Sequence, residues 1–150
     1  MIKVGLIGCG YMGTMHKNCY AALSNQVEVA AVADVRPEKA KALAEGTNAV
    51  IYDSAEALIN NADVDYVDIC LPTYLHAQYT IAAMKKGFHV FVEKPLCMSK
   101  EECAEILKTQ EETGKMAQVG QVIRFWDEYV WLKEVKESGK YGKVISASFK

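Results

Sequence analysis

The chain has 150 residues, 51% of them hydrophobic, and its 17 basic and 19 acidic side chains leave a net charge of −2. This is the length of one domain. The apolar share excludes a disordered chain, and the balanced charge argues against nucleic acid or an anionic membrane as a partner. No apolar run reaches the ~18 residues of a membrane span, and with the first strand read at the N-terminus no secretory leader is expected.

In chain order, Ile2 to Ile7 is an apolar run broken only by Lys3 and Gly5, which reads as a buried strand. It ends at Gly8-Cys9-Gly10-Tyr11-Met12-Gly13, and a helix-like segment without Gly or Pro follows from Thr14 to Leu23. In this spacing Gly8 permits the tight turn, Gly10 lets a pyrophosphate approach the backbone, and Gly13 lets the helix pack close to the strand. The N–H groups of Tyr11, Met12 and Gly13 open that helix toward the phosphates. A second strand, Val27 to Ala33, ends in Asp34, which stands 21 positions after Gly13. An acid at about 20 positions is where a ribose-binding carboxylate is expected. A methyltransferase-type nucleoside site also sets an acid after strand two, but the complete three-glycine spacing weighs against it.

Pro37 opens a helix running over Glu38 to Glu45 and stopped by Gly46, and Ala49 to Tyr52 is a short third strand. Asp53 to Glu56 reads as a capping box for a helix reaching Asn60. Tyr66 to Leu71 is the fourth strand, ended by Pro72, with Thr73 placed to cap a helix from Tyr74 to Lys86. Phe88 to Val92 is the fifth strand, running into Glu93-Lys94-Pro95. Ser99 with Glu102 makes a second capping box, on a helix that turns Cys103, Ile106 and Leu107 inward and ends at Gly114. Met116 to Gln121 is the sixth strand, Trp126 to Lys136 an amphipathic helix, and Val144 to Lys150 a seventh, extended segment.

Alternating strands and helices predict a doubly wound α/β Rossmann fold, a parallel sheet in the order 3-2-1-4-5-6. The whole chain, residues 1–150, is then one dinucleotide-binding domain. The seventh segment reads as the start of a second, substrate-binding domain outside this span. The five cysteines, Cys9, Cys19, Cys70, Cys97 and Cys103, show neither a CxxC pair nor a zinc spacing. They read as reduced thiols in a cytoplasmic protein, several of them in the core, and no metal is expected.

Ligands of such sheets bind beyond the carboxyl ends of the strands, where the order reverses. The candidates there are Gly8 to Gly13, Asp34, Leu71-Pro72-Thr73, Glu93-Lys94-Pro95 and Gln121. Asp34 can accept both adenosine ribose hydroxyls and repel a 2′-phosphate, which favours NAD while leaving NADP open. Arg36 either pairs with a phosphate, lies over the adenine, or is a solvated surface cation. Leu71, Pro72, Thr73 and His76 are placed by position against the nicotinamide ribose, with a locally bonded helix histidine as the alternative for His76. His16 is assigned a packing or solvent role. Lys94 is a cation at the mouth of strand five that can hold a substrate hydroxyl and stabilise a developing alkoxide, or else a surface ion pair. Glu93 bonds the ribose or tethers the lysine. Arg124 either faces the cleft as a substrate ligand or is exposed.

Taken together, Gly8-x-Gly10-x-x-Gly13, Asp34, Pro72-x-x-x-His76, Glu93-Lys94-Pro95 and Gln121-x-x-Arg124-Phe125, followed by Gly142-Lys143-Val144-Ile145, resemble the Gfo/Idh/MocA family of NAD(P)-dependent oxidoreductases. The EKP tripeptide is the specific part of the match. The resemblance implies a two-domain enzyme, commonly a homo-oligomer, that interconverts a hydroxyl and a ketone on a sugar, polyol or related substrate. It makes Lys94 the active-site lysine, and it puts an aspartate–histidine catalytic pair in the second domain. The alternative is a non-catalytic NAD(P)-binding or redox-sensing module that works through a partner chain.

Overall fold

The computed structural model describes residues 1–148. They divide into one compact unit, Met1–Gly120, and a second from Gln121 onward.

The first unit is a six-stranded, wholly parallel sheet in the order β3-β2-β1-β4-β5-β6, as expected. Its strands are β1 (Ile2–Ile7), β2 (Val27–Ala33), β3 (Val50–Tyr52), β4 (Tyr66–Ile69), β5 (His89–Val92) and β6 (Ala117–Val119). The helices are α1 (Tyr11–Ala22), α2 (Pro37–Ala44), α3 (Ala55–Asn61), α4 (His76–Lys86) and α5 (Lys100–Thr113). Side chains alternate between the two faces of each strand. Ile7, Ala31, Ala33, Val67, Ile69, Val90 and Val92 therefore meet Leu58, Ile59, Ala83, Met84 and Ile106 from the α3–α5 side. Leu6 and Val32 meet Ala40 and Leu43 of α2 on the other side. Full burial of each Leu, Ile or Val stabilises by about 1.5–3 kcal/mol, so both layers hold the sheet. On the α1 side of β4–β6 an open groove of about 510 Å³ remains, lined in part by His16, Tyr20, Tyr66 and Phe91.

Local corrections have simple causes. The cap of α3 is Ser54, not Asp53: its hydroxyl accepts from Ala57 N at 3.1 Å, and Glu56 instead accepts the Tyr79 hydroxyl at 2.5 Å. Thr73 makes no side-chain cap. It starts a 3-10 turn, Thr73–Leu75, closed by Leu75 N donating to the Pro72 carbonyl at 2.9 Å, and α4 begins only at His76. The Ser99–Glu102 box forms, with Ser99 Oγ accepting from Glu102 N at 3.1 Å, but Glu102 reaches back to Met98 N at 2.7 Å. On α5 Ile106 is buried while Leu107 is 53% exposed, because Leu107 lies one step around the helix from the stripe that meets the sheet. Of the cysteines only Cys9 is buried; Cys19 is exposed and Cys70, Cys97 and Cys103 are half-buried.

The second unit holds a 3-10 turn, Val122–Phe125, and α6 (Asp127–Ser138), which ends at Gly139 with φ +64°. The expected seventh strand does not form over 144–148, and its remaining two positions, Phe149 and Lys150, lie outside the described residues. Among the described residues no helix is long and apolar enough to cross a membrane.

Candidate functional site

The site is built where β1, β2 and β4 end. β1 delivers Gly8 with φ +96°, a conformation L side chains rarely adopt. A Cβ there would stand 2.5 Å from the Cys70 carbonyl oxygen, so the turn also presses against the end of β4. Gly10 caps α1 with no side-chain hydrogen bond, and the first turn of that helix carries no acidic residue. A Cβ on Gly10 would meet nothing within 4 Å: the space above it is open. A Cβ on Gly13 would lie 2.1 Å from the Gly8 carbonyl oxygen and 3.1 Å from Leu6, so only glycine lets α1 start this close to β1. The three glycines thus have three different surroundings.

Asp34 closes the other wall. It is 7% exposed. One carboxylate oxygen accepts from Cys9 N at 2.9 Å, and the other from Arg36 N at 2.9 Å and Arg36 Nε at 3.1 Å. Burial opposes its charge, but the Arg36 side chain and the two backbone N–H groups outweigh burial and hold it below the ordinary carboxylate range. Arg36 is therefore a surface cation that is not free: its exposed side chain forks onto Asp34. Between these walls lies a cavity of about 530 Å³. Of the expected residues, Gly8, Gly10, Tyr11, Met12, Asp34, Arg36, Leu71 and Pro72 line it. Val35, Ala55, Glu56, Tyr74, Leu75 and Tyr79 line it too, and sequence reasoning did not single them out. They come from the turn after β2, the start of α3, and the turn into α4 with the helix itself, which only folding brings together.

Gly13, Thr73, His76, Glu93 and Lys94 are not in that wall. His76 is fully buried, with one ring nitrogen 2.6 Å from the Pro95 carbonyl oxygen and the other 2.7 Å from that of Leu71. The ring ties the turn after β4 to the turn after β5. Glu93 and Lys94 follow β5, with a cis peptide between Lys94 and Pro95. Glu93 Oε2 accepts from Lys94 N at 3.0 Å, so Glu93 tethers the lysine's backbone rather than its ammonium. Among the described residues the Lys94 ammonium makes no ion pair, unlike the bland surface pairing the sequence also allowed.

His16 is where the sequence reading missed most. Its Nδ1 lies 2.8 Å from Asp68 Oδ2 and its Nε2 3.2 Å from Glu93 Oε1. Asp68 is wholly buried in β4 and also accepts the Tyr20 hydroxyl at 2.6 Å. The Asp68 hydrogen bond raises the imidazole above its ordinary value; burial opposes this, and Glu93 adds to the rise. Burial and the Asp68 charge push the Tyr20 phenol up as well. A signal was present: a carboxylate inside an apolar strand, Tyr66-Val-Asp-Ile-Cys-Leu71, requires a buried partner. Gln121 and Arg124 belong to the second unit, where both are exposed and Arg124 N donates to the Gln121 carbonyl at 3.1 Å.

A glycine turn open at its middle residue, an uncapped helix start and a buried acid ending the neighbouring strand define a dinucleotide-binding domain at the switch point of a doubly wound sheet. Residues 2–121 match the family model described as the oxidoreductase family with an NAD-binding Rossmann fold. The chain belongs to the Gfo/Idh/MocA oxidoreductase family and carries its NAD-binding domain. It is 34% identical over 146 residues to an inositol 2-dehydrogenase/D-chiro-inositol 3-dehydrogenase of Lactiplantibacillus plantarum, covering 95% of this chain and 42% of that one. It is 29% identical over 150 residues to a 2,7-anhydro-N-acetylneuraminate hydratase of Escherichia coli, covering 100% and 40%. The crystal structure of scyllo-inositol dehydrogenase from Lactobacillus casei with bound NAD(H) and scyllo-inositol superposes with a TM-score of 0.88 at 26% identity, covering 95% of this chain and 43% of that one. The chain thus spans less than half the length of the relatives it matches.

Proposed function

We propose that the chain is the cofactor domain of a cytoplasmic, homo-oligomeric dehydrogenase that acts on a hydroxyl of a sugar or polyol and prefers NAD to NADP. The observation that carries this reading is a cavity floored by Gly8 and Gly10 and walled by Asp34, together with a lysine beyond β5 that makes no ion pair among the described residues. The residues fit the nucleotide: the open space above Gly10 accommodates a diphosphate, and Asp34 supplies acceptors for ribose hydroxyls. NAD, when bound, supplies the hydride acceptor.

The rest follows from this chain's own residues. The N–H groups of Tyr11 and Met12 hold the phosphates, and Asp34 takes the adenosine ribose diol. Leu71, Pro72 and Thr73 form the edge nearest the nicotinamide ribose, held in place by His76. Glu93 fixes the backbone of Lys94, whose ammonium holds the substrate hydroxyl and stabilises negative charge on its oxygen. The relatives carry more than half their length outside this span. A substrate domain there, holding the aspartate–histidine pair that the resemblance implies, completes the enzyme. The inositol dehydrogenases among the relatives support a polyol, and the hydratase marks the breadth of substrates on this scaffold.

The test is a fluorescence titration with NADH and NADPH, followed by turnover of polyols by a product of the gene that includes the substrate domain. Tighter binding of NADH and turnover that falls about 100-fold or more in Lys94→Ala, with cofactor affinity spared, are expected. Near-normal turnover in that variant overturns the assignment of Lys94. Binding without turnover of any CH–OH substrate favours a sensing module.

A further inference from the structure

Beneath the dinucleotide turn the fold gathers three donor atoms of different chemistry that the nicotinamide reading does not use together. We propose that His16, Asp68 and Cys70 form a binding site for a thiophilic divalent cation, Zn²⁺ in the first place. Their ligand atoms all lie within 4.8 Å of one another. His16 Nδ1 is 2.8 Å from Asp68 Oδ2 and 3.3 Å from Cys70 Sγ, and Cys70 Sγ is 3.6 Å from Asp68 Oδ1. Tetrahedral zinc bonds of about 2.0–2.3 Å set neighbouring ligand atoms roughly 3.3–3.7 Å apart, so His16 Nδ1 and Cys70 Sγ already have that spacing and Asp68 Oδ2 must draw back from Nδ1 by about half an ångström to admit an ion.

The surroundings are those of a metal site as well. A zinc-bound histidine donates its other ring N–H to a carboxylate, and Glu93 Oε1 already stands 3.2 Å from His16 Nε2. A ligating carboxylate is held by a further hydrogen bond, and the Tyr20 hydroxyl supplies one to Asp68 at 2.6 Å. An ion held by this set requires a neutral imidazole nitrogen and a thiolate, so its binding releases protons. Access exists from two sides, since His16 lines the open groove and Cys70 the nucleotide cavity. The donor set, one nitrogen, one oxygen and one sulfur with a fourth position for water, suits Zn²⁺ over Mg²⁺ or Ca²⁺, which take oxygen ligands. Sequence spacing could not reveal the site, because its ligands come from α1 and from two positions of β4 and its end.

The test uses the chain as it is, with Co²⁺ as a spectroscopic stand-in and Zn²⁺ in competition with a chromophoric chelator. One equivalent of Co²⁺ is expected to give a thiolate-to-metal charge-transfer band that Zn²⁺ abolishes, Mg²⁺ leaves unchanged, and Cys70→Ser removes. His16→Gln is expected to abolish stoichiometric Zn²⁺ binding, and Glu93→Gln to weaken it about 10–100-fold. Circular dichroism and NADH titration check that each variant is folded. No charge-transfer band in the unmodified protein, a band that survives Cys70→Ser, or full Zn²⁺ affinity in folded His16→Gln overturns the proposal. None of these readouts depends on dehydrogenase activity.

Discussion

Substituting alanine at Gly10 and at Gly13 separates two functions that lie three residues apart. At Gly13 the new Cβ would sit 2.1 Å from the Gly8 carbonyl oxygen, whereas ordinary contacts begin at 3.4 Å. The neighbour is backbone, so either α1 must move by more than an ångström or the Gly8 turn must open. Overpacking of this kind costs typically 1–3 kcal/mol even against movable side chains, and against a main-chain oxygen about 3 kcal/mol or more is expected. For a chain of this size that lowers the melting temperature by about 6–12 °C. At Gly10 the Cβ meets nothing within 4 Å, and φ is −84°, open to any residue. The only structural loss is a poorer helix cap, about 1 kcal/mol or less, or some 2–4 °C. A methyl group in the space reserved for a diphosphate is costly in a different measurement. Displacement of the phosphates by about 1–3 kcal/mol is a loss of roughly 5- to 150-fold in NADH affinity. Thermal unfolding and NADH fluorescence titration read the two effects side by side. Gly13→Ala should be a stability variant and Gly10→Ala a binding variant. NADH affinity within twofold of normal in Gly10→Ala would refute the placement of the nucleotide over this turn.

Three further outcomes are expected. Asp34→Ala removes the acceptor for Cys9 N and Arg36 and leaves that arginine free for a 2′-phosphate; the ratio of NADPH to NADH dissociation constants should fall by about tenfold or more, and an unchanged ratio would remove Asp34 from the ribose site. His16 is raised above its ordinary value in the fold, so its contribution to stability is complete below about pH 6.5 and is lost as pH rises through the higher folded value. The unmodified protein should therefore lose stability relative to His16→Gln as pH rises above about 6.5, and parallel denaturation profiles would show that His16 does not titrate as its contacts require. His76→Gln should leave the glycine turn intact but loosen the Leu71–Pro95 connection, seen as faster amide hydrogen exchange in the turns after β4 and β5; unchanged exchange there would count against the tie.

The strand order and the dinucleotide turn were legible in the sequence because both are local signals. Apolar runs separated by helix-length polar segments admit few right-handed parallel arrangements, and three glycines at fixed offsets mark a turn by residue type and spacing alone. Capping was legible only to within one residue: at Asp53-Ser54 two good caps adjoin, and the backbone conformation chooses between them. Helix faces were legible where the apolar stripe is narrow, as at Ile106, and misread one position later at Leu107.

What the tertiary structure alone decided is the company each polar side chain keeps. Asp34 could be assigned from its distance to Gly13, yet its engagement by Arg36 depends on how the chain turns after β2. His16 stands 52 positions from Asp68 and 77 from Glu93, and no periodicity links them. They meet because parallel pairing of β1, β4 and β5 stacks their carboxyl ends beside the first helix. Short-range order is written in residue types and spacings. A buried charge network is an equilibrium between desolvation and partners that arrive from separate strands, and only the assembled sheet determines which partners those are.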